Sequence, residues 1–341
     1  MPPGQTIKPD TDPRPRVLIT GGAGFIGSHL LDLLAPSGAQ ITVVDDLSTG
    51  RVENIAHHQP RIRFIGSRLD RALEQLEDEP PFDRVYHLAA AVGVDLILAD
   101  PIGSIETNVE QTSALLRYVN AHGNPPTLIA SSSEVYGKPG ASVFSEDDDT
   151  LYGPSTTGRW SYAHCKAIDE HLALAYHDKR GLPAVVCRFF NTVGPRQSGQ
   201  YGMVLPRFVQ AALNDAPIRV FGDGEQTRCF CDVRDVVAVL PTLLESSEAH
   251  GRVFNIGSDR PISIGQLAGL VVRELSSESP IVKTPYADAY PQGFEDLRHR
   301  RPDLSRVRSV CGFEPSYTLS RTIADIAEEI RSSGIHAGGK R

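Results

Sequence analysis

Tyr162 and Lys166 stand four residues apart in the stretch SYAHCK, which opens a helical pattern at Ser161. That spacing puts both side chains on one helix face. An ammonium beside a phenol favours the phenolate, so the pair predicts a tyrosine that takes up a proton near neutral pH. About thirty residues earlier, TLIASSSEVYG (127–137) brings Ser131, Ser132 and Ser133 to the end of an apolar run. A second constellation is made of glycines. RVLITGGAGFIGSHLLDLL (16–34) sets Gly21, Gly24 and Gly27 three apart, between an apolar run and a helical pattern. Residues without Cβ allow a tight turn and let backbone approach a pyrophosphate at a helix N-terminus. Asp45 closes the next apolar run, about 20 residues on, where a carboxylate accepts both ribose hydroxyls of a dinucleotide and repels a 2′-phosphate. The ordered set predicts bound NAD rather than NADP.

The elements that must position these residues are short apolar runs alternating with helical patterns. The runs are VLIT 17–20, ITVVD 41–45, RVYHLAA 84–90, TLIAS 127–131 and AVVCRFF 184–190, with helices near 25–35, 101–122, 161–180 and 203–214. Continuous rather than alternating apolar runs fit strands covered on both faces. The expected fold is therefore α/β, a Rossmann-type doubly wound parallel sheet with a smaller mixed α/β C-terminal substrate lobe. Its expected divisions are tails at 1–15 and 333–341, an NAD-binding domain over 16–192 and a substrate lobe over 193–332. A segment around 229–258 is expected to return to the first domain.

Composition excludes other classes. A net charge of −8 argues against a nucleic-acid surface. No run approaches the length of a membrane span, and the opening residues carry no apolar signal core. Five scattered cysteines, with Cys229 and Cys231 only two apart, suit reduced thiols in the cytoplasm and no metal site. Trp160 is expected to pack, the acidic run 146–149 to form a solvated loop, and His87 and His164 to stand outside the chemistry. Arg159 fits either a substrate contact or a structural role.

These pieces together resemble the extended short-chain dehydrogenase/reductase family that acts on nucleotide sugars. The resemblance rests on the glycine motif, Tyr162-x-x-x-Lys166, HLAA 87–90, TNV 107–109, RFFNTVGPR 188–196 and GDGEQTRCF 222–230. It implies that Tyr162 is the base, that Lys166 binds the nicotinamide ribose and that Ser132 holds the sugar 4-hydroxyl. It further implies NAD contacts by Gly21, Gly24, Phe25, Ile26, Gly27, Asp45, Asp46, Leu69, Leu88, Ala89, Ala90 and Asn108. Substrate contacts are implied for Asn191, Val204, Val220, Arg228 and Arg300. Relatives dimerise through two helices, which here fall near 101–122 and 161–180. One departure concerns the cofactor: relatives place an Asp for adenine where this chain has Arg68, so backbone near Leu69 must replace it.

Within that family the chain is most similar to UDP-glucuronate decarboxylases, including the decarboxylase domain of the bifunctional polymyxin-resistance protein. The similarity lies in SEVYG 133–137, GPSTTGRWSYAHCK 153–166 and GFEDLRHRRPD 293–303, although relatives have Tyr where Phe294 stands. All these enzymes first oxidise sugar C4 to a ketone. A C6 carboxylate then belongs to a β-keto acid and can leave as CO2. An enolate must be stabilised and C5 protonated, which suits Arg300 and a relay through Ser133 and Glu134. The implied activity is conversion of UDP-glucuronate to UDP-xylose or the 4-keto pentose. A UDP-glucuronate or UDP-glucose 4-epimerase, an NDP-sugar 4,6-dehydratase and a regulatory protein that binds NAD without turnover stay open.

The position of Asp45 generates a first prediction. NAD binds and NADP binds poorly in calorimetry, and Asp45→Asn narrows the gap; equal affinities in the wild type contradict it.

Overall fold

Backbone turns of the kind the glycines foreshadow shape the first element boundary. In the computed structural model, which describes residues 14–91, 100–138, 140–199, 203–285 and 298–332, Gly21 has φ +70°. A Cβ there would lie 2.6 Å from the backbone nitrogen of Ala89. At Gly27 it would lie 2.1 Å from the Gly21 carbonyl oxygen. Only glycine lets the chain leave its strand, double back and enter a helix in so little space.

That strand, β1 (Arg16–Thr20), belongs to a seven-stranded sheet among the described residues. The others are β2 (Gln40–Val44), β3 (Ile62–Ile65), β4 (Arg84–His87), β5 (Thr127–Ser132), β6 (Ala184–Phe189) and β7 (Arg252–Ile256). Their spatial order is β7-β6-β5-β4-β1-β2-β3, and every neighbouring pair is parallel. The order reverses between β1 and β4, which opens a crevice at the strands' C-terminal ends.

Helices cover both faces, as continuous apolar strands require. On one side lie α1 (Phe25–Leu34), which starts directly after Gly24, and two helices from later in the chain. On the other lie α2 (Leu69–Gln75), α3 (Pro101–Ala121) and α4 (Ser161–Arg180). Helix α3 begins where Asp100 Oδ1 accepts the Gly103 N–H at 3.0 Å with Pro101 next in the chain. Helix α4 stops at Gly181 in the left-handed region, φ +70°.

A second apolar core gathers α5 (Val204–Leu213), α7 (Ile264–Leu275) and α9 (Leu319–Ser332) around Phe208, Leu267 and Ile323. Strands Ile218–Phe221 and Ile281–Thr284 pair in parallel beside it. Between these segments, α6 (Val233–Glu245) and β7 pack into the first core, as does α8 (Ser305–Cys311).

All five apolar runs appear as strands, with ends within three residues of those expected. Two further strands complete the sheet. β3 alternates partly buried and exposed residues because it lies on the edge, so it lacks the continuous apolar pattern of the others. β7 follows a long excursion through the second core. Expectations for residues 1–13, for 333–341 and for Phe294 lie outside the described residues.

Candidate active site

The C-terminal end of β5 carries the first reactive groups. Ser132 stays in extended backbone and its Oγ accepts the Glu134 N–H at 3.2 Å, which turns the chain into one 3-10 turn over Ser133–Tyr136. That turn aims Glu134 at two guanidinium groups. Its Oε1 accepts from Arg300 Nη1 at 2.7 Å, and Oε2 faces Arg159 Nη2 at 3.5 Å. Burial raises the Glu134 carboxyl, but Arg300 and then Arg159 outweigh it and hold the group down at about 2. Glu134 is therefore ionised at neutral pH and is a poor proton donor in this state. Arg228, whose Nη1 donates to the Thr227 carbonyl at 2.8 Å, adds further positive charge nearby.

Tyr162 approaches from the first turn of α4 and hydrogen-bonds Ser132. The phenol lies well above its ordinary value: burial, then the Glu134 and Asp169 carboxylates, disfavour the phenolate. The simple pairing with Lys166 needs correction here. Lys166 Nζ donates to Asp169 Oδ2 at 3.1 Å, with side-chain exposures of 2% and 0%. Its charge is largely spent on that neighbour, and burial with the two carboxylates favours Tyr162 as a phenol.

The dinucleotide cleft lies at the crevice between β1 and β4. Gly21, Gly24, Phe25, Ile26, Gly27, Asp45, Asp46, Leu69, Leu88, Ala89 and Ala90 all line it. Gly24 caps α1 with no side chain over the first turn, leaving backbone N–H groups open for a phosphate. Asp45 Oδ2 accepts the Ala23 N–H and Oδ1 the Leu47 N–H, each at 2.9 Å, which aims the carboxylate at the cleft. These features fit NAD. Arg68 turns outward to Asp70 at 3.4 Å, while Ser67 and Leu69 face the cleft.

Other placements differ from expectation. Asn108 is buried; its amide clamps Ala91, accepting from Ala91 N at 3.1 Å and donating to Ala91 O at 3.2 Å. It shapes the loop after β4 rather than the cleft wall. Val220 has 1% exposure inside the second core, so its side chain reaches no ligand. Val204 packs against the same core. Asn191 keeps a buried Oδ1 with no hydrogen-bond partner, as an acceptor reserved for a ligand would. Ser133 is buried in the turn beside Glu134. Arg300 is buried, whereas Arg298 lies 70% exposed and pairs with Asp223. Within the expected solvated acidic run, Glu146 is buried and accepts the Asn255 N–H at 2.8 Å.

His87 bridges Thr20 Oγ1 (2.7 Å) and Thr112 Oγ1 (3.1 Å), and burial, aided by Lys166, keeps it neutral, down at about 3. Trp160 is packed at 1% exposure. All five thiols are unpaired. Away from the cysteines, Asp32, His57 and His58 bring three ligand-type atoms within 4.8 Å of one another. Hydrogen bonding accounts for that grouping: both imidazole Nε2 atoms lie 2.8 Å from Asp32 Oδ1, and Arg196 holds Oδ2.

The chain belongs to the NAD dependent epimerase/dehydratase family, whose model matches residues 17–257. It is 40% identical to the UDP-N-acetyl-alpha-D-glucosaminuronate decarboxylase of Bacillus cytotoxicus over 93% of this chain and 98% of that one. It is 34% identical to UDP-glucuronic acid decarboxylase 4 of Arabidopsis thaliana over 93% of this chain and 68% of that one. Among solved structures, epimerase Mth375 of Methanothermobacter thermautotrophicus superposes with TM-score 0.85, at 26% identity over 94% of this chain and 93% of that one. The UDP-glucuronic acid 4-epimerase of Bacillus cereus, solved with UDP-glucuronic acid and NAD, gives TM-score 0.79 at 27% identity over 93% and 99%. The protein is an NAD-dependent member of this family.

The Glu134 ion pairs predict a pH signature. A carboxyl depressed by folding contributes stability that is complete above its unfolded value of 4.5 and is lost as pH falls towards 2. The stability difference between wild type and Glu134→Gln is then greatest above pH 4.5 and closes below it, as followed by denaturant unfolding. A difference independent of pH contradicts the pairing.

Proposed function

We propose that this protein decarboxylates UDP-glucuronate through a 4-keto sugar, giving UDP-xylose or the UDP-4-keto pentose. The observation that carries the reading is the Arg159–Glu134–Arg300 group beside Tyr162 and Ser132. Hydride transfer at C4 needs a base and a hydroxyl anchor, not two buried guanidinium groups around one carboxylate. Two cations against one anion leave a net positive wall, which suits a uronate carboxylate and then the enolate that forms as CO2 leaves.

When bound, NAD supplies the hydride acceptor for C4. Tyr162 takes the C4 hydroxyl proton, with Ser132 holding that oxygen. Arg300 faces the developing enolate, and Glu134, already ionised, orients Arg300. The proton that C5 gains on loss of CO2 comes from solvent water and is handed on by the Ser133 hydroxyl. Asn191 and Arg228 contact the sugar and diphosphate.

A second substrate has its own support: the 40% identical relative bears the name of a UDP-N-acetylglucosaminuronate decarboxylase. The two differ only at sugar C2, so the chemistry above serves either. Incubating the protein with NAD and each uronate separately, and following CO2 and product mass, tests both. We expect CO2 from UDP-glucuronate, about 10²–10⁴-fold less in Glu134→Gln and still less in Arg300→Ala. Tyr162→Phe abolishes turnover while NAD still binds. CO2 only from the acetamido sugar transfers the reading to that substrate. Conversion to UDP-galacturonate without CO2 makes the protein an epimerase.

We further propose a homodimer built on α3 and α4. Ile102 (69% exposed) and Ile105 (42%) share one face of α3, and Ile168 (44%) stands on α4. Such a patch suits a helix-on-helix contact. Ile105→Asp should yield monomer in sedimentation; a wild-type monomer refutes the dimer. Five unpaired thiols fit the reducing cytoplasm. Among the described residues no helix is long and apolar enough to cross a membrane.

A further inference from the structure

The acid that holds Lys166 is not explained by packing. Asp169 is fully buried on α4, three residues beyond Lys166 and seven beyond Tyr162, so the three side chains form one stripe. Its Oδ2 accepts from Lys166, and the Thr112 hydroxyl also hydrogen-bonds the carboxylate. A buried ion pair is nonetheless a poor stabiliser, because desolvation offsets the attraction. An apolar side chain would serve the surrounding core better. The acid next along the helix, Glu170, is engaged elsewhere: Arg188 donates to it at 2.7 and 2.9 Å, and Ser131 donates too.

We propose that Asp169 is a positioning residue that keeps the buried Tyr162–Lys166 pair electrically neutral, so that Tyr162 retains its proton until NAD enters. The inference rests on Tyr162 being the base but not on which sugar is the substrate. Without Asp169 the stripe carries a buried, uncompensated ammonium and loses a carboxylate that opposes the Tyr162 phenolate, so the phenol ionises more readily. With Asp169 that drive is cancelled. The nicotinamide of NAD is itself a cation, and a cation arriving at a neutral pair favours the phenolate. Base formation is then coupled to cofactor occupancy.

The other charged and titratable groups facing this stripe reinforce the cancellation or stand aside. Glu134, on the turn after β5, disfavours the phenolate, though Arg159 and Arg300 offset it. His87, on β4, is neutral. Cys165, the neighbour of Lys166, is buried with its thiol raised by burial and by Asp169. Thr112, on α3, lies against the Asp169 carboxylate. Glu170 is neutralised by Arg188.

The test titrates Tyr162 by NMR of isotope-labelled tyrosine, each protein compared with its own Tyr162→Phe version, free and saturated with NAD and without any sugar. In the wild type, NAD lowers the Tyr162 midpoint. In Asp169→Asn, the midpoint of the free protein falls by about one pH unit relative to wild type, and NAD adds less to the shift. Should that variant not fold, Lys166→Met is compared with Lys166→Met/Asp169→Asn, in which the buried pair is neutral throughout. The double variant titrates below the single one. A Tyr162 midpoint unmoved by loss of the Asp169 charge, with only the melting temperature lowered, assigns Asp169 a purely structural role and overturns the proposal. Because no sugar is present, a wrong substrate leaves the result intact.

Discussion

One carboxylate between two guanidinium groups ties the molecule together at its reactive end. Glu134 is delivered by the turn after β5, Arg159 by the segment leading into α4, and Arg300 by a segment far along the chain. The last of these is stitched in from both sides. Arg301–Pro302 pairs in parallel with Val143–Phe144, and the Thr227 N–H donates to the Arg298 carbonyl at 2.8 Å. Asn255, fully buried at the end of β7, completes the brace. Its Nδ2 donates to the carbonyls of Phe144 and Asp303, and its Oδ1 accepts from the Tyr136 hydroxyl. The ion pairs are thus embedded in a polar frame that holds most of its members, the condition under which buried charge is tolerated. The buried Arg300 Nε keeps no hydrogen-bond partner among the described residues.

That frame also resolves an apparent conflict of sign. The chain carries a net charge of −8, yet the substrate proposed for it is anionic at both diphosphate and uronate. Positive charge is concentrated where Arg159, Arg228 and Arg300 converge on the single Glu134, while many acids elsewhere face solvent or other partners. A locally positive cleft in an acidic surface draws such a ligand to one place and disfavours its loose binding elsewhere.

Much of this was legible in the residues because the signals are local. The glycine spacing, the continuous apolar runs and Tyr162-x-x-x-Lys166 each express a constraint within one turn or one strand. What stayed hidden depends on burial or distance. Lys166 and Asp169 are visible as an i, i+3 pair, but only their complete burial turns that pair into a control on Tyr162. The depressed Glu134 needs Arg300, 166 residues away, a separation no pattern in sequence encodes. Glu146 reads as one more acid in a solvated run until Asn255 is placed above it. Val220 reads as a ligand contact by family resemblance, yet the second core claims its side chain.

The interleaving of the two cores has a consequence for how the protein is made. Helix α5 presents Phe208 and Val209 to a core that is closed only by α7 and by α9, whose residues begin at Leu319. At ordinary rates of synthesis, roughly 5–20 s separate the emergence of α5 from that of α9 on the ribosome. Until α7 emerges the apolar stripe of α5 has no helical partner, and until α9 emerges its core stays open, while β7 must cross back to the sheet edge past it. The nascent chain therefore exposes a hydrophobic helix for seconds, the kind of surface that chaperones bind and that aggregates when they are scarce.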